Sequence, residues 1–126
     1  MLHPKLDKYF EEVEQAIRNL KDCNVEYYYE EVLGYKRINL KIRIRFENGN
    51  LFEISEAVIV ENNMLKHLGY SYHYQNNENQ LLFRYDNTPH HPEIETFPHH
   101  KHILGKIIKS QQPSIANVVS EITNQN

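Results

Sequence analysis

Hydrophobic residues recur every three or four positions in the segment HPKLDKYFEEVEQAIRNL, at residues 3–20. This spacing builds one apolar stripe along a helix, formed by Leu6, Phe10, Val13, Ala16, Ile17 and Leu20. Pro4 suits the first turn, and acidic residues follow it closely, where the helix dipole favours them. The pattern therefore predicts an N-terminal helix that packs one face on a sheet.

From residue 25 the hydrophobic period shortens to two, which is typical of half-buried strands. The clearest case is RINLKIRIRF (37–46), in which apolar residues alternate with polar and basic ones. Asn48-Gly49 is a strong hairpin signal, and it leads into the return strand LFEISEAVIV (51–60). Three other segments are predicted as strands: VEYYYEEV, GYSYHYQ and QLLFRYDN. Together these segments predict five strands in meander order.

The C-terminal part is less regular, although HKHIL and KIIKS have the length of short strands. After Pro113, helical spacing returns in SIANVVSEI, through Ile115, Val118, Val119 and Ile122. We therefore expect a single domain over residues 1–126 of class α+β. Its antiparallel meander sheet of about five to six strands is packed, mainly on one face, by an N-terminal and a C-terminal helix.

The overall charge gives no basic signature of a nucleic-acid binder, because 126 residues carry a formal charge of −3. Lys41, Arg43 and Arg45 form a local basic stripe on one strand, which is more often a solvated face than a phosphate track. Cys23 is the lone cysteine, and no apolar run has the length of a membrane span. The polar, charged N-terminus also lacks the apolar core of a signal peptide. These features predict a cytoplasmic protein without membrane contact.

Histidines concentrate in RYDNTPHHPEIETFPHHKH (84–102), which holds five of the eight histidines and three prolines. These five are His90, His91, His99, His100 and His102. Strand alternation places Arg84 and Asp86 on one face of their predicted strand, and His73 lies on one face of the preceding strand. If the two faces coincide, an imidazole, a guanidinium and a carboxylate meet where the histidine segment begins.

Three explanations of the histidines remain open at this stage. In the first, His100 and His102 project to one side of a strand and bind a metal, with Glu93 or Asp86 as third ligand. In the second, histidines act as general acid and base on a phosphodiester, and Arg84 or a lysine such as Lys101 offsets the developing charge. In the third, the histidines only bond to the backbone of a proline-stiffened loop.

Tyrosines and one glutamate raise further alternatives. Tyrosine side chains offer stacking platforms for bases, but a place in the core is the more frequent role in strands. The residues concerned are Tyr27, Tyr28, Tyr29, Tyr70, Tyr72 and Tyr74. Glu56 interrupts the inward face of its strand, so a buried carboxylate at this position requires a partner.

The run SYHYQ…LLFRYDNTPHHPEIETFPHHKH, with Ser55-Glu56 upstream, resembles the TumE family of small prokaryotic toxins. The resemblance covers roughly residues 36–122 and is strongest over 70–102. The motif residues are Ser55, Glu56, Tyr72, His73, Arg84, Asp86, Asn87, His90, His91, Glu93, Thr96, His99, His100 and His102. The resemblance implies the toxin half of a toxin–antitoxin pair, which a cognate antitoxin binds and silences.

We therefore expect a toxin that acts as a metal-independent ribonuclease, since such toxins commonly act on RNA. The expected catalytic residues are His73, His100 and His102 as acid–base groups, Arg84 as phosphate ligand and Asp86 as the group that orients an imidazole. The expected binding residues are His90, His91, Glu93, His99, Tyr72 and Glu56. No cofactor is expected, although a divalent metal stays an alternative. The alternative functions are a non-enzymatic binding module, whose histidine loop recognises a partner, and a metal-dependent nuclease or hydrolase.

Overall fold

A computed structural model describes residues 1–125, which fold into two helices and an antiparallel sheet. In chain order the elements are α1 (Pro4–Arg18), β1 (Cys23–Gly34), β2 (Arg37–Phe46), β3 (Leu51–Glu61), β4 (Met64–Gln75), β5 (Leu81–Asp86), β6 (His100–Ile103), β7 (Lys106–Lys109) and α2 (Ile115–Gln125). None of these helices is long and apolar enough to cross a membrane.

The order of strands in the sheet follows the chain from β1 to β7, and every neighbouring pair is antiparallel. The predicted α+β meander with helices from both ends of the chain is confirmed. Within the described residues the sheet has seven strands, slightly more than the five to six predicted. Both short C-terminal segments form strands, because Gly105, with φ of +74°, turns the chain back from β6 into β7.

Both helices pack on one face of the sheet, as the alternation of apolar residues predicts. The apolar stripes of α1 and α2 contact inward-facing side chains of β2 to β5 in one large cluster. Pro4 is the first residue of α1, and the Nδ1 atom of His3 accepts a hydrogen bond from the Lys5 amide, which caps the helix. The core therefore lies between the sheet and the two helices.

The opposite face of the sheet, which neither α1 nor α2 covers, is called here the open face. Directly opposed residues of antiparallel strands point to the same side, so the strand register builds two rows across this face. The first row is Tyr29, Lys41, Ser55, Ser71, Asp86, His100 and Lys109, and the second is Tyr27, Arg43, Glu53, His73, Arg84, His102 and Ile107. The register thus brings His73, Arg84, Asp86, His100 and His102 to one face.

Candidate functional site

Asp86, at the end of β5, is the centre of the polar group on the open face. Its Oδ1 atom accepts from the Thr88 amide at 3.1 Å and faces His100 Nε2 at 2.8 Å. Its Oδ2 atom accepts from Arg84 Nε at 3.0 Å and lies 3.5 Å from His102 Nε2. One buried carboxylate therefore organises a guanidinium and two imidazoles.

The surroundings of Asp86 keep it ionised. Burial alone raises the pKa of its carboxyl group, but hydrogen bonds from the Thr88 amide and from Arg84 oppose this effect. The positive charges of His100 and Arg84 act in the same direction, and the net pKa of Asp86 lies below its ordinary value. Asp86 is therefore a fixed negative charge at neutral pH.

His100 is almost fully buried, with 2% of its surface exposed. Its Nδ1 atom donates to the Pro98 carbonyl oxygen at 2.8 Å, next to the cis Phe97–Pro98 peptide bond. Its Nε2 atom faces Asp86, so both ring nitrogens point at acceptors. His100 therefore fixes the loop against Asp86, and neither ring nitrogen is free for a substrate.

His102 and His91 are more accessible, with side chains that are 27% and 28% exposed. Their ring centroids lie 6.1 Å apart, and both rings contact His100 edge to face. Each ring directs one nitrogen at a carboxylate, His102 at Asp86 and His91 at Glu93, where Nδ1 and Oε1 are 3.3 Å apart. The second nitrogen of each ring remains for other partners. We call Asp86, His91, His100 and His102 the histidine cluster.

The pKa of His102 is lowered from its ordinary value of 6.5. Burial is the largest cause, and Asp86 opposes it by favouring the charged ring. The positive charges of His100, Arg84 and His91 add to the effect of burial. His102 is therefore mainly neutral at pH 7, the state that a general base requires.

A metal ion also fits part of this cluster. Donor atoms of Asp86, His100 and His102 all lie within 4.8 Å of one another. The bond from His100 Nδ1 to the Pro98 carbonyl resembles the outer contact that metal-bound histidines usually make. Two imidazoles and a carboxylate form a ligand set typical of Zn²⁺ sites. Glu93, the other predicted third ligand, instead lies beside His91.

His73 lies in a groove of about 260 Å³ on the open face, on the β4 side of Arg84. Its Nε2 atom donates to Gln75 Oε1 at 2.9 Å, and its buried Nδ1 atom has no hydrogen-bond partner among residues 1–125. The groove is lined by Tyr27, Lys41, Ile42, Glu53, Ile54, Ser55, Ser71, His73 and Arg84. His73 therefore shares the face of the histidine cluster, with Arg84 between them in the register.

Two histidines of the loop lie apart from the cluster. His90 is exposed, whereas the ring of His99 stacks on Tyr70 and its Nδ1 atom is 3.0 Å from the Tyr70 hydroxyl. Burial, together with the charge of His100, lowers the pKa of His99. The Tyr70 amide also donates to Asn87 Oδ1, so one residue of β4 holds both ends of the loop at residues 87–99.

Glu56 and Tyr72 lie on the other side of the sheet, beneath α1. Glu56 is 3% exposed, and its carboxylate accepts from the hydroxyls of Tyr9 and Tyr72 and faces His67 Nε2 at 2.8 Å. This confirms that the inward-facing carboxylate has partners. Burial, reinforced by the charge of Glu56, raises the pKa of Tyr9 and Tyr72, so both phenols remain donors.

The remaining candidates divide between the two faces. Lys101 alternates with His100 and His102 along β6, so it points to the helix side, where it donates to Glu121 at 2.7 Å. It therefore does not offset charge at the histidine cluster. Tyr70, Tyr72 and Tyr74 belong to the core and Tyr28 packs against it, as the more frequent role of tyrosine predicts. Tyr27 and Tyr29 instead remain exposed on the open face.

Comparison with known protein families matches residues 7–126 to the family described as Toxin TumE. The chain belongs to the TumE family of toxins. The match confirms the resemblance over residues 36–122 and extends it to most of α1. Comparisons with curated proteins and with solved structures found no match. Membership identifies this TumE chain as the toxin component of a toxin–antitoxin system, whose partner is a cognate antitoxin.

Two members of the Glu56 network in this TumE protein were not predicted from the sequence. Tyr9 lies beside the apolar stripe of α1, and nothing in the helical spacing connects it to Glu56. His67 reaches the helix side because the register between β3 and β4 shifts at Ala57 and Val58. Gly69, within β4, is the one local signal for such a bulge.

Proposed function

We propose that this toxin is a ribonuclease that breaks phosphodiester bonds by metal-free acid–base catalysis on the open face. One observation carries the proposal: His91 and His102, both partly exposed, lie 6.1 Å apart between ring centroids, with Arg84 beside Asp86. Each imidazole has a carboxylate near one ring nitrogen: Glu93 is 3.3 Å from His91, and Asp86, which also faces His100, is 3.5 Å from His102. The arrangement supplies a base, an acid and a cation, the three groups that phosphodiester transesterification requires.

In this reaction the neutral His102 ring accepts the proton of a ribose 2′-hydroxyl at Nδ1, since Nε2 is directed at Asp86. The 2′-oxygen then bonds to phosphorus, and the bond from phosphorus to the 5′-oxygen breaks. His91 enters the step as the imidazolium, donates its Nε2 proton to the leaving 5′-oxygen and keeps the Nδ1 proton directed at Glu93. The products are a 2′,3′-cyclic phosphate and a free 5′-hydroxyl, so protons and bonds balance.

The other expected catalytic residues support these two histidines. Arg84 uses Nε to hold Asp86, so its terminal nitrogens remain to stabilise the charge on the phosphorane oxygens. Asp86 orients His102 and holds its tautomer, while His100 is a positioning residue that locks the loop to Asp86. His73 lines the adjacent groove on the other side of Arg84.

The test is RNA cleavage by the purified toxin in buffer that contains EDTA. We expect cleavage with 2′,3′-cyclic phosphate ends, and a loss of about 10²- to 10⁴-fold in rate for His102→Ala and for His91→Ala. His3→Asn, which removes a distant imidazole but keeps a capping side chain, is the control and retains the rate. Full activity of His102→Ala would contradict the proposed mechanism.

A metal-dependent nuclease or hydrolase is the second candidate, favoured by the convergence of Asp86, His100 and His102. These residues would hold the ion, which would supply an activated water or polarise the phosphate. This candidate predicts that EDTA abolishes cleavage and that Zn²⁺ or Mn²⁺ restores it. If growth arrest occurs with intact RNA and survives His102→Ala, the non-enzymatic binding module becomes the better account.

A further inference from the structure

The groove on the open face continues directly from the histidine cluster through Arg84, the one residue of its lining that the proposed reaction uses. We propose that this groove binds single-stranded RNA on one side of the cleaved bond. In this arrangement Lys41 and Arg84 contact phosphates and Tyr27 stacks on a base. The inference rests on the ribonuclease function proposed above and extends it to the class of RNA bound.

The groove has charges that suit an RNA phosphate backbone, although the protein as a whole has a formal charge of −3. Among residues 1–125, Lys41 makes no ion pair, and Arg84 engages Asp86 only through Nε. Glu53, the carboxylate of the lining, lies 3.4 Å from Arg43 and is balanced by it. Lys41 therefore makes the groove locally positive, and the terminal nitrogens of Arg84 add hydrogen-bond donors beside it.

The basic stripe predicted from the sequence, Lys41, Arg43 and Arg45, offers less free positive charge for phosphates than its composition indicates. Arg43 Nε donates to Glu26 at 2.8 Å, and Arg45 Nε lies 3.4 Å from the same carboxylate. Together with Glu53, which also pairs with Arg43, Glu26 balances the two arginines of the stripe. Lys41, whose neighbours across the strands are Tyr29 and Ser55, is left facing the groove.

Tyr27 supplies an aromatic surface at the outer end of the groove, where it is 46% exposed on edge strand β1. From β2, which carries Lys41, to β5, which carries Arg84, the sheet extends over three strand spacings, about 14 Å. Stacking on an aromatic ring needs an unpaired base with a free face. The bases of an A-form duplex are paired and stacked on each other, so this geometry favours a single strand.

His73 provides an independent sign that the groove lacks a partner. Its Nε2 proton is donated to Gln75, which leaves Nδ1 as an acceptor. This atom is buried and has no partner among the described residues, and His73 is one of the residues that line the groove. Unsatisfied buried polar atoms are rare in folded proteins, and a functional site is one of their regular explanations.

The experiment measures binding of a short fluorescein-labelled RNA strand of mixed sequence by fluorescence anisotropy. All proteins carry His102→Ala, so that RNA stays intact during the titration. We expect Lys41→Ala and Tyr27→Ala each to raise Kd by about 5-fold or more. The control is Lys66→Ala, on the same face at the far end of β4, which changes Kd by less than about 2-fold. The same sequence as a duplex binds more weakly.

Three results would overturn this inference: equal Kd values for Lys41→Ala, Tyr27→Ala and the control, equal affinity for duplex and single strand, or a loss of antitoxin binding alone. The last result would make the groove a protein interface. Failure of the proposed function is distinct, because the wild-type toxin would then bind RNA through the groove without cleaving it. If Lys41→Ala and Tyr27→Ala leave the rate of cleavage unchanged, RNA binding by the groove is rejected, whereas the ribonuclease function stands.

Discussion

Glu56 is a single residue on which the junction of α1 with the sheet depends. It lies in β3 and receives hydrogen bonds from Tyr9 on α1 and from Tyr72 on β4, while His67 faces it as well. Glu56→Leu removes the shared acceptor, so the buried Tyr72 hydroxyl loses its partner, and the partly buried Tyr9 and His67 keep only their 3.1 Å contact with each other. We expect the free energy of unfolding to fall by about 3–5 kcal/mol, measured by urea denaturation.

Glu53→Leu is the matched control. Glu53 lies three residues before Glu56 in the same strand and therefore points to the opposite side, the open face. Its carboxylate is partly exposed and 3.4 Å from Arg43, so its loss costs less than about 1 kcal/mol. Equal losses from the two substitutions would show that the network beneath α1 does not stabilise the fold.

The sequence predicted which side chains of a strand share a face of the sheet, but it did not predict where a bulge reverses this alternation. Because side chains alternate with a period of two, the sequence correctly placed Glu56 inward and Arg84 with Asp86 on one face. The bulge in β4 reverses this parity, so His67 lies on the helix side, and only Gly69 hints at the change. The contact of His91 with His102 also depends on loop conformation, which periodicity does not describe.

At the scale of elements, the loop between β5 and β6 is held by hydrogen bonds within the loop and by contacts of its two ends with β4. Amides of His90, Ile94, Phe97 and His99 donate to carbonyls within the loop. Tyr70 holds the two ends, through Asn87 at the start and His99 at the finish. The sequence predicted a proline-braced segment but not its conformation, because these contacts join residues that are far apart in the chain.

Tyr70→Phe removes the hydroxyl that pairs with His99 and leaves the stacked rings in place. We expect faster hydrogen exchange of the loop amides at residues 90–99, no change in β3, and a loss of about 1 kcal/mol in stability. The control is Tyr28→Phe, since the buried Tyr28 hydroxyl has no partner among residues 1–125. Equal exchange in both variants would contradict the anchoring role of Tyr70.

At the scale of the whole molecule, the two faces of the sheet have separate tasks. Both helices pack on one face of the sheet and bury its apolar residues, so the hydrophobic core needs no side chains from the open face. The polar rows on the open face are then free to carry a site without exposing the core. Because the chain is acidic overall, its net charge does not attract RNA, and binding must come from the few cations of the groove.

This division predicts a weak dependence of RNA binding on salt. For a single strand, each neutralised phosphate contributes about −0.7 to the slope of log K against log salt concentration. With Lys41 and Arg84 as the two phosphate ligands, the expected slope is about −1.4, and Lys41→Ala lowers its magnitude by about 0.7. Lys66→Ala leaves the slope unchanged, because its ammonium lies 3.9 Å from Glu61, at the other end of the face. A slope several times steeper, or one that Lys41→Ala does not alter, would mean that RNA binds elsewhere on the molecule.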